Sequence, residues 1–378
     1  MARVAVKPEL IRWAQERSGL SVEDLRSAFG RLVDWENGSA QPTLKQLEKF
    51  AKKTYTPLGY FFLEKPPQEN LNLKDFRTLK GGTPRRPSPA LLDTIHTMRR
   101  RQDWMREHLE EMGDDQLRFI NSATSGDSPI ETAHRMREQL GWTTEKSRSV
   151  ANWAKALINL CSSIEDSRIM VMFNGVVGNN TSRKLNVSEF RGFVLCDDFA
   201  PLIFVNNKDA KSAQMFTLAH ELAHLWLGES GVFDLPELEP KNDEVERWCN
   251  RVAAEFLVPA AELLDFWPRV ENIAKPFERI AKEFKVSQIV AARRVLDLKL
   301  ISKPEFSEFY RLCISHEEKT SESSGGDFYR TQDKRLGRLF PEMVIQAARA
   351  GELLYRDAFN LTGLSSQTLD KFANHLGV

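Results

Sequence analysis

What the chain lacks narrows it first. It has only four cysteines, Cys161, Cys196, Cys249 and Cys313, scattered over 378 residues with no CxxC spacing. That argues against a disulfide framework or a cysteine-built zinc site and fits a reducing compartment. It has no net charge: 53 Lys and Arg balance 53 Asp and Glu. No global field therefore draws it to nucleic acid or acidic membranes, and any such patch must be local. No apolar run approaches the length of a membrane span, and MARVAVKPEL lacks the apolar core of a secretory signal. These absences predict a cytoplasmic chain with no membrane partner, in which a sequon such as Asn186-Val-Ser188 carries no meaning. What remains is 41% hydrophobic and 28% charged, ordinary for a globular protein, and long enough for two or three domains.

The stretch with the most chemistry is TLAHELAHLWLG, Thr217 to Gly228. His220 and His224 fall one turn apart on one helix face. Two imidazoles so placed can hold one Zn²⁺, and the adjacent Glu221 can take a proton from a metal-bound water. The flanks Phe216, Leu218, Ala219, Leu222, Ala223, Leu225, Trp226 and Leu227 are apolar almost all round, so the helix is predicted to be buried. Buried His and Glu need partners, and a metal suffices for all three.

Downstream, Asn242 or Asp243 is the expected cap of a second helix, DEVERWCNRVAAEFLVP, ended by Pro259. Its main apolar stripe is Val245, Trp248, Cys249, Val252 and Phe256. At about 100° per residue, Glu246, Asn250, Ala253 and Leu257 share a neighbouring face. Glu246 is the candidate third ligand. Asn250, one turn on, is placed to hydrogen-bond a ligand imidazole, and small Ala253 permits close approach of the two helices. Glu244 and Glu255 face elsewhere.

Before these helices the pattern changes period. Ile169–Phe173, 192–196 (GFVLC) and 201–206 (PLIFVN) read as strands, the last two joined as a hairpin through 197–200. A strand at such a sheet's edge can pair with an extended substrate backbone. The loop 228–241 reads as Gly/Pro-rich and acidic.

The fold class expected is α+β: a mainly helical multidomain chain with a small-sheet HExxH zinc-peptidase core and helix-turn-helix-like units. Residues 1–66 read as a small helical domain, with Pro8 opening a helix, Gly19 closing it and Ser21 capping the next. Residues 67–125 read as a Pro/Gly/basic linker and a basic helix. There Arg99, Arg100 and Arg101 could meet phosphate but read first as a solvated face, and His96 and His108 read as surface residues. Residues 126–270 are the expected metallopeptidase domain. Residues 271–316 form a helical unit with helix-turn-helix spacing, turning at Lys-Val-Ser before Arg293 and Arg294. Residues 317–378 form a C-terminal helical unit with a turn at Gly363. His134, His316 and His375 lack ligand spacing and read as solvated.

Two resemblances follow from these strings. WENGSAQPTL, Trp35 to Leu44, resembles the string that follows the recognition helix of Xre/Cro-type helix-turn-helix domains. Between Leu25 and Trp35, however, the chain is about four residues, or about one helical turn, shorter than such domains. That shortfall predicts a protein-contact role for residues 1–66 in preference to sequence-specific DNA reading. FTLAHELAHLWLG with ERWCNRVAAEFLVP, the upstream string 185–206 and GGDFYRT (325–331) resemble the ImmA/IrrE family of bacterial zinc metallo-endopeptidases. The resemblance implies zinc ligands His220, His224 and Glu246 and Glu221 as the base. It also implies a protein substrate that is a repressor-like DNA-binding regulator, in a regulatory, stress or mobile-element response. Two other readings stand beside it. One is a toxin or anti-phage effector restrained by an inhibitory or antitoxin partner. The other is a transcription regulator, contacting DNA, whose zinc site serves structure or sensing. An open fourth zinc position favours catalysis. Tyr310 and Tyr329 are too distant in sequence for either to be assigned as an oxyanion donor.

Overall fold

Local signals in the first residues are strong, and the chain obeys them. In this computed structural model, which describes residues 3–69, 87–209, 211–233, 244–317 and 334–377, Pro8 opens helix α1 (Pro8–Ser18). Gly19 closes it in the left-handed conformation at φ 65°. The Ser21 side chain accepts from the Asp24 backbone N–H to cap α2 (Val22–Ala28). A five-residue helix α3 (Leu32–Glu36) follows, then α4 (Leu44–Lys53) behind a Thr43–Gln46 capping box. Leu10, Ile11, Leu25, Leu32, Trp35, Leu47, Phe50 and Phe61 form the core of this unit. Phe50 meets Trp35, Phe29 and Phe61 edge-on.

The chain divides into two units, Met1–His96 and Thr97–Val378, with helix α5 (Pro89–Met112) running across the division. The second unit is mainly helical around a small mixed sheet, an α+β fold. Its helices before the sheet are α6 (Pro129–Gln139), α7 (Thr144–Arg148) and α8 (Trp153–Asp166). The strands are β1 (Met170–Asn174), β2 (Val176–Val177), β3 (Asn180–Lys184), β4 (Gly192–Leu195), β5 (Leu202–Asn206) and β6 (Gly231–Phe233). β1, β5, β4 and β6 lie side by side in that order, and β2 pairs with β3 in a separate two-stranded sheet. β1 runs parallel to β5; β4 is antiparallel to both β5 and β6. The hairpin expected through 197–200 is present. β6 corrects the reading of 228–241 as loop alone.

Side-chain alternation splits the sheet's two faces. Val171, Phe173, Val194, Ile203 and Val205 join the main core with helix α9 (Lys211–Leu227). On the other face Phe193 stacks on Phe204 at 4.8 Å. There Gln102 of α5 donates to the carbonyls of Leu195 and Ala200, each at 2.9 Å. Arg101 is 7% exposed and donates to the Leu361 carbonyl. His108 is 9% exposed and stacks on Trp104. Both therefore depart from the surface placement expected of this basic helix; only His96 of the pair is exposed. Desolvation brings Arg101 down to about 10.

After β6 come α10 (Glu244–Leu257), α11 (Ala260–Phe266), α12 (Pro276–Phe284), α13 (Gln288–Asp297) and α14 (Lys303–Glu317). Helices Leu339–Ala350, Tyr355–Thr362 and Ser366–Leu376 lie near the C-terminus, with Gly363 left-handed between the last two. α12 and α13 turn at Lys285, φ 58°, and Ser287 caps α13. Arg294 of this pair does not face solvent. It is buried against Glu255 of α10 and donates to the Val258 carbonyl. Arg293 pairs with Asp297 at 2.8 Å. No described helix is long and apolar enough to cross a membrane.

Candidate metal centre

From Gln214 onward helix α9 is buried almost all round, because most of its residues there are apolar. Leu218, Ala219, Leu222, Ala223, Leu225 and Trp226 are each at most 1% exposed. Its C-terminal carbonyls are met by a crossing segment: Asn121 N–H donates to Leu225 and Ala123 N–H to Trp226. Into this apolar setting the helix carries His220, Glu221 and His224, exposed by 0%, 0% and 2%. Helix α10 packs alongside, with Trp248, Cys249, Val252, Ala253 and Phe256 in the shared core. The indole of Trp248 anchors it by donating to the Asp127 carbonyl at 2.8 Å.

This packing brings three side chains to one point. His220 Nε2 lies 3.1 Å from Glu246 Oε2, His224 Nε2 lies 3.2 Å from Glu246 Oε1, and the two Nε2 atoms are 3.0 Å apart. Asn250, one turn beyond Glu246, has its Oδ1 3.0 Å from His220 Nδ1. An amide oxygen can only accept, so His220 carries its proton on Nδ1 and offers a lone pair at Nε2. Two imidazole lone pairs and a carboxylate turned toward one another in a dry interior repel unless a proton or a metal cation lies among them. A tetrahedral zinc with ligands at about 2.0–2.1 Å holds them about 3.3 Å apart, close to the separations found. The three residues fit a zinc-class ion. Among the described residues they form the His/Cys/Asp/Glu group with ligand geometry.

The electrostatics follow from burial and proximity. Burial alone raises the Glu246 carboxyl, but the two imidazoles outweigh it and hold it well below the usual carboxylate range. Burial lowers His220, against the pull of Glu246. That favours the neutral imidazole a metal ligand needs.

Three neighbours were not visible as site residues in the sequence. Cys249 sits beside His224, without a hydrogen bond of ordinary geometry at Nδ1. The sequence assigns it to an apolar stripe, and a small thiol there gives no separate signal. Cys196 points its Sγ at the His224 carbonyl, 3.7 Å away. Gly192 of β4 lies against Glu221: a Cβ built on it would stand 2.9 Å from Glu221 Oε1. Other sequence readings fall away from the centre. Glu255 is taken by Arg294, and Tyr310 stacks on Phe306 in α14. Exposed His134 lies 3.5 Å from Glu138, and exposed His375 stacks on Phe372. Asn242, Asp243, Tyr329, the 325–331 string and the side chain of His316 lie outside the described residues.

No curated protein matches the chain. Residues 336–375 match a family described as a domain of unknown function (DUF8813). Residues 164–296 match the Peptidase M78 family, described as the IrrE N-terminal-like domain. That span runs from the end of α8 to the end of α13 and contains His220, Glu221, His224, Glu246 and Asn250. The match supports a metallopeptidase of the IrrE/ImmA type, built on residues 164–296.

Proposed function

We propose that this chain is a cytoplasmic zinc-dependent endopeptidase that cuts one specific protein, a repressor-like DNA-binding regulator. The observation that carries the zinc site is the convergence of His220, His224 and Glu246, with Asn250 fixing the His220 tautomer. These three residues would hold the ion. Bound zinc supplies Lewis acidity, which polarises a peptide carbonyl and makes a water acidic near pH 7. Glu221, buried one residue from His220, takes the proton of the attacking water and hands it to the leaving amine. The apolar surroundings of α9 keep bulk water away and strengthen these interactions.

β6 suits the substrate side. It pairs with β4 on one side, and Phe233 lies in register with Gly192, the residue that abuts Glu221. Among the described strands it has no partner on its other side. An extended substrate backbone added there would continue the sheet by one strand.

The repressor-like identity of the substrate rests on the resemblance to ImmA/IrrE proteins. It is tested by incubating the metal-loaded chain with the repressor-like product of a neighbouring gene. One discrete cut is expected. An uncut repressor beside an active, zinc-loaded chain would reject this substrate class.

A further inference from the structure

A glycine in the middle of a sheet forfeits cross-strand packing and backbone entropy, so its presence asks for a reason. Gly192 opens β4, in register with Val205 on β5 and with Phe233 of the β6 backbone. Val205 would form a favourable pair with a β-branched or aromatic residue at this position. Conformation is not the reason. Gly192 does not have the positive φ found at Gly19 or Gly228, so any residue could adopt its backbone. Space is the reason. A Cβ at this position would stand 2.7 Å from Thr217 Cγ2, 2.9 Å from Glu221 Oε1 and 3.0 Å from the Phe204 carbonyl.

Those three contacts differ in what can yield. The Phe204 carbonyl is fixed in the β5 ladder. Thr217 is 2% exposed, with its χ1 restricted by β-branching. Glu221 Oε1 is the far end of a longer side chain on the same face of α9, one turn after Thr217. The carboxylate is therefore the group that moves first. We propose that Gly192 is a positioning residue: the bare backbone of β4 sets where the Glu221 carboxylate stands relative to His220 and His224. This rests on Glu221 being the general base, but the geometry at Gly192 can be tested with no substrate.

The test uses the full chain loaded with Co²⁺, whose visible absorption reports the groups around the ion, together with thermal unfolding. Gly192→Ala is expected to bind one ion and to lower the unfolding midpoint by about 3–10 °C. Thr217→Ser removes the Cγ2 that a Cβ would strike. In Gly192→Ala/Thr217→Ser the midpoint should therefore return most of the way. The cobalt spectrum of this pair should stay displaced from wild type toward that of Glu221→Ala, because the carboxylate contact remains. In a Glu221→Ala background, Gly192→Ala should cost measurably less than it does in wild type, by the smaller share that the carboxylate contact carries. A double variant with both midpoint and spectrum restored, or strict additivity of Gly192→Ala with Glu221→Ala, would overturn the proposal. Either result would leave the peptidase assignment standing. Conversely, a Glu221→Gln chain that still cuts its substrate would remove the general base without touching the coupling at Gly192.

Discussion

Asn250 decides which nitrogen of His220 faces Glu246 and His224, because its Oδ1 accepts the proton held on Nδ1. Asn250→Ala frees the ring and its tautomer. Metal affinity should fall by about 10–100-fold while the fold is kept. Asn250→Asp, which still accepts, should lose less; equal loss in both would show that the hydrogen bond is not the cause. Glu246→Ala should weaken binding without abolishing it, since two imidazoles remain one turn apart on α9. Isothermal titration with zinc reads both. The convergence of His220, His224 and Glu246 was legible in sequence, because helical spacing places His220 with His224 and Glu246 with Asn250. What was not legible is the role of groups with no chemical signature of their own. Gly192 matters for the atoms it lacks, and Cys249 reads as one more small apolar residue.

Glu165, near the end of α8, shows how one carboxyl can hold a distant helix. It is buried, and its Oε1 accepts from the backbone N–H groups of Arg338 (2.7 Å) and Leu339 (3.2 Å) where the helix Leu339–Ala350 begins. Burial raises this carboxyl from 4.5 to about 7, against those two hydrogen bonds. The folded chain thus holds the proton more tightly than the unfolded chain. The resulting stability is complete below about pH 4.5 and is lost as pH rises through about 7. Glu165→Gln keeps an acceptor oxygen and cannot ionise. It should match wild type near pH 4.5 and exceed it near pH 8 by about 1–3 kcal/mol in urea unfolding. A variant no more stable at pH 8 would show that the buried carboxylate is compensated. At this scale the helices were readable from their punctuation: Pro8 and Gly19 around α1, Ser21 before α2, Gly363 between the last two helices. β6 was not, because three residues flanked by glycine and acidic positions become a strand only through pairing with β4. The burial of Arg101, His108 and Arg294 likewise depends on partners remote in sequence, which a helix's own pattern does not contain.

Over the whole chain, the candidate metal ligands and Glu221 all come from residues 220–246, within the span matched by the Peptidase M78 family. Residues 1–66 contribute none of them. Deleting that segment should leave metal content unchanged while altering substrate choice or restraint. In the N-terminal unit, α3 has five residues, about 7.5 Å of helix and little to lay along a major groove. Its DNA binding should be weak, indifferent to sequence and steeply lost with salt, as phosphate contacts are. A titration against DNA from its own promoter at physiological salt checks this; tight binding that a scrambled duplex fails to match would restore a DNA-reading role. The central claim is that this chain cuts protein through one zinc centre with Glu221 as base. Its most direct test is to measure zinc content and cleavage of the neighbouring repressor side by side in wild type, Glu221→Gln and His220→Ala/His224→Ala. Glu221→Gln should keep one zinc and lose about 10²–10⁴-fold in cleavage rate, while the double histidine variant should lose the metal. Cleavage at the wild-type rate by Glu221→Gln, or full zinc in the double variant, would contradict the account.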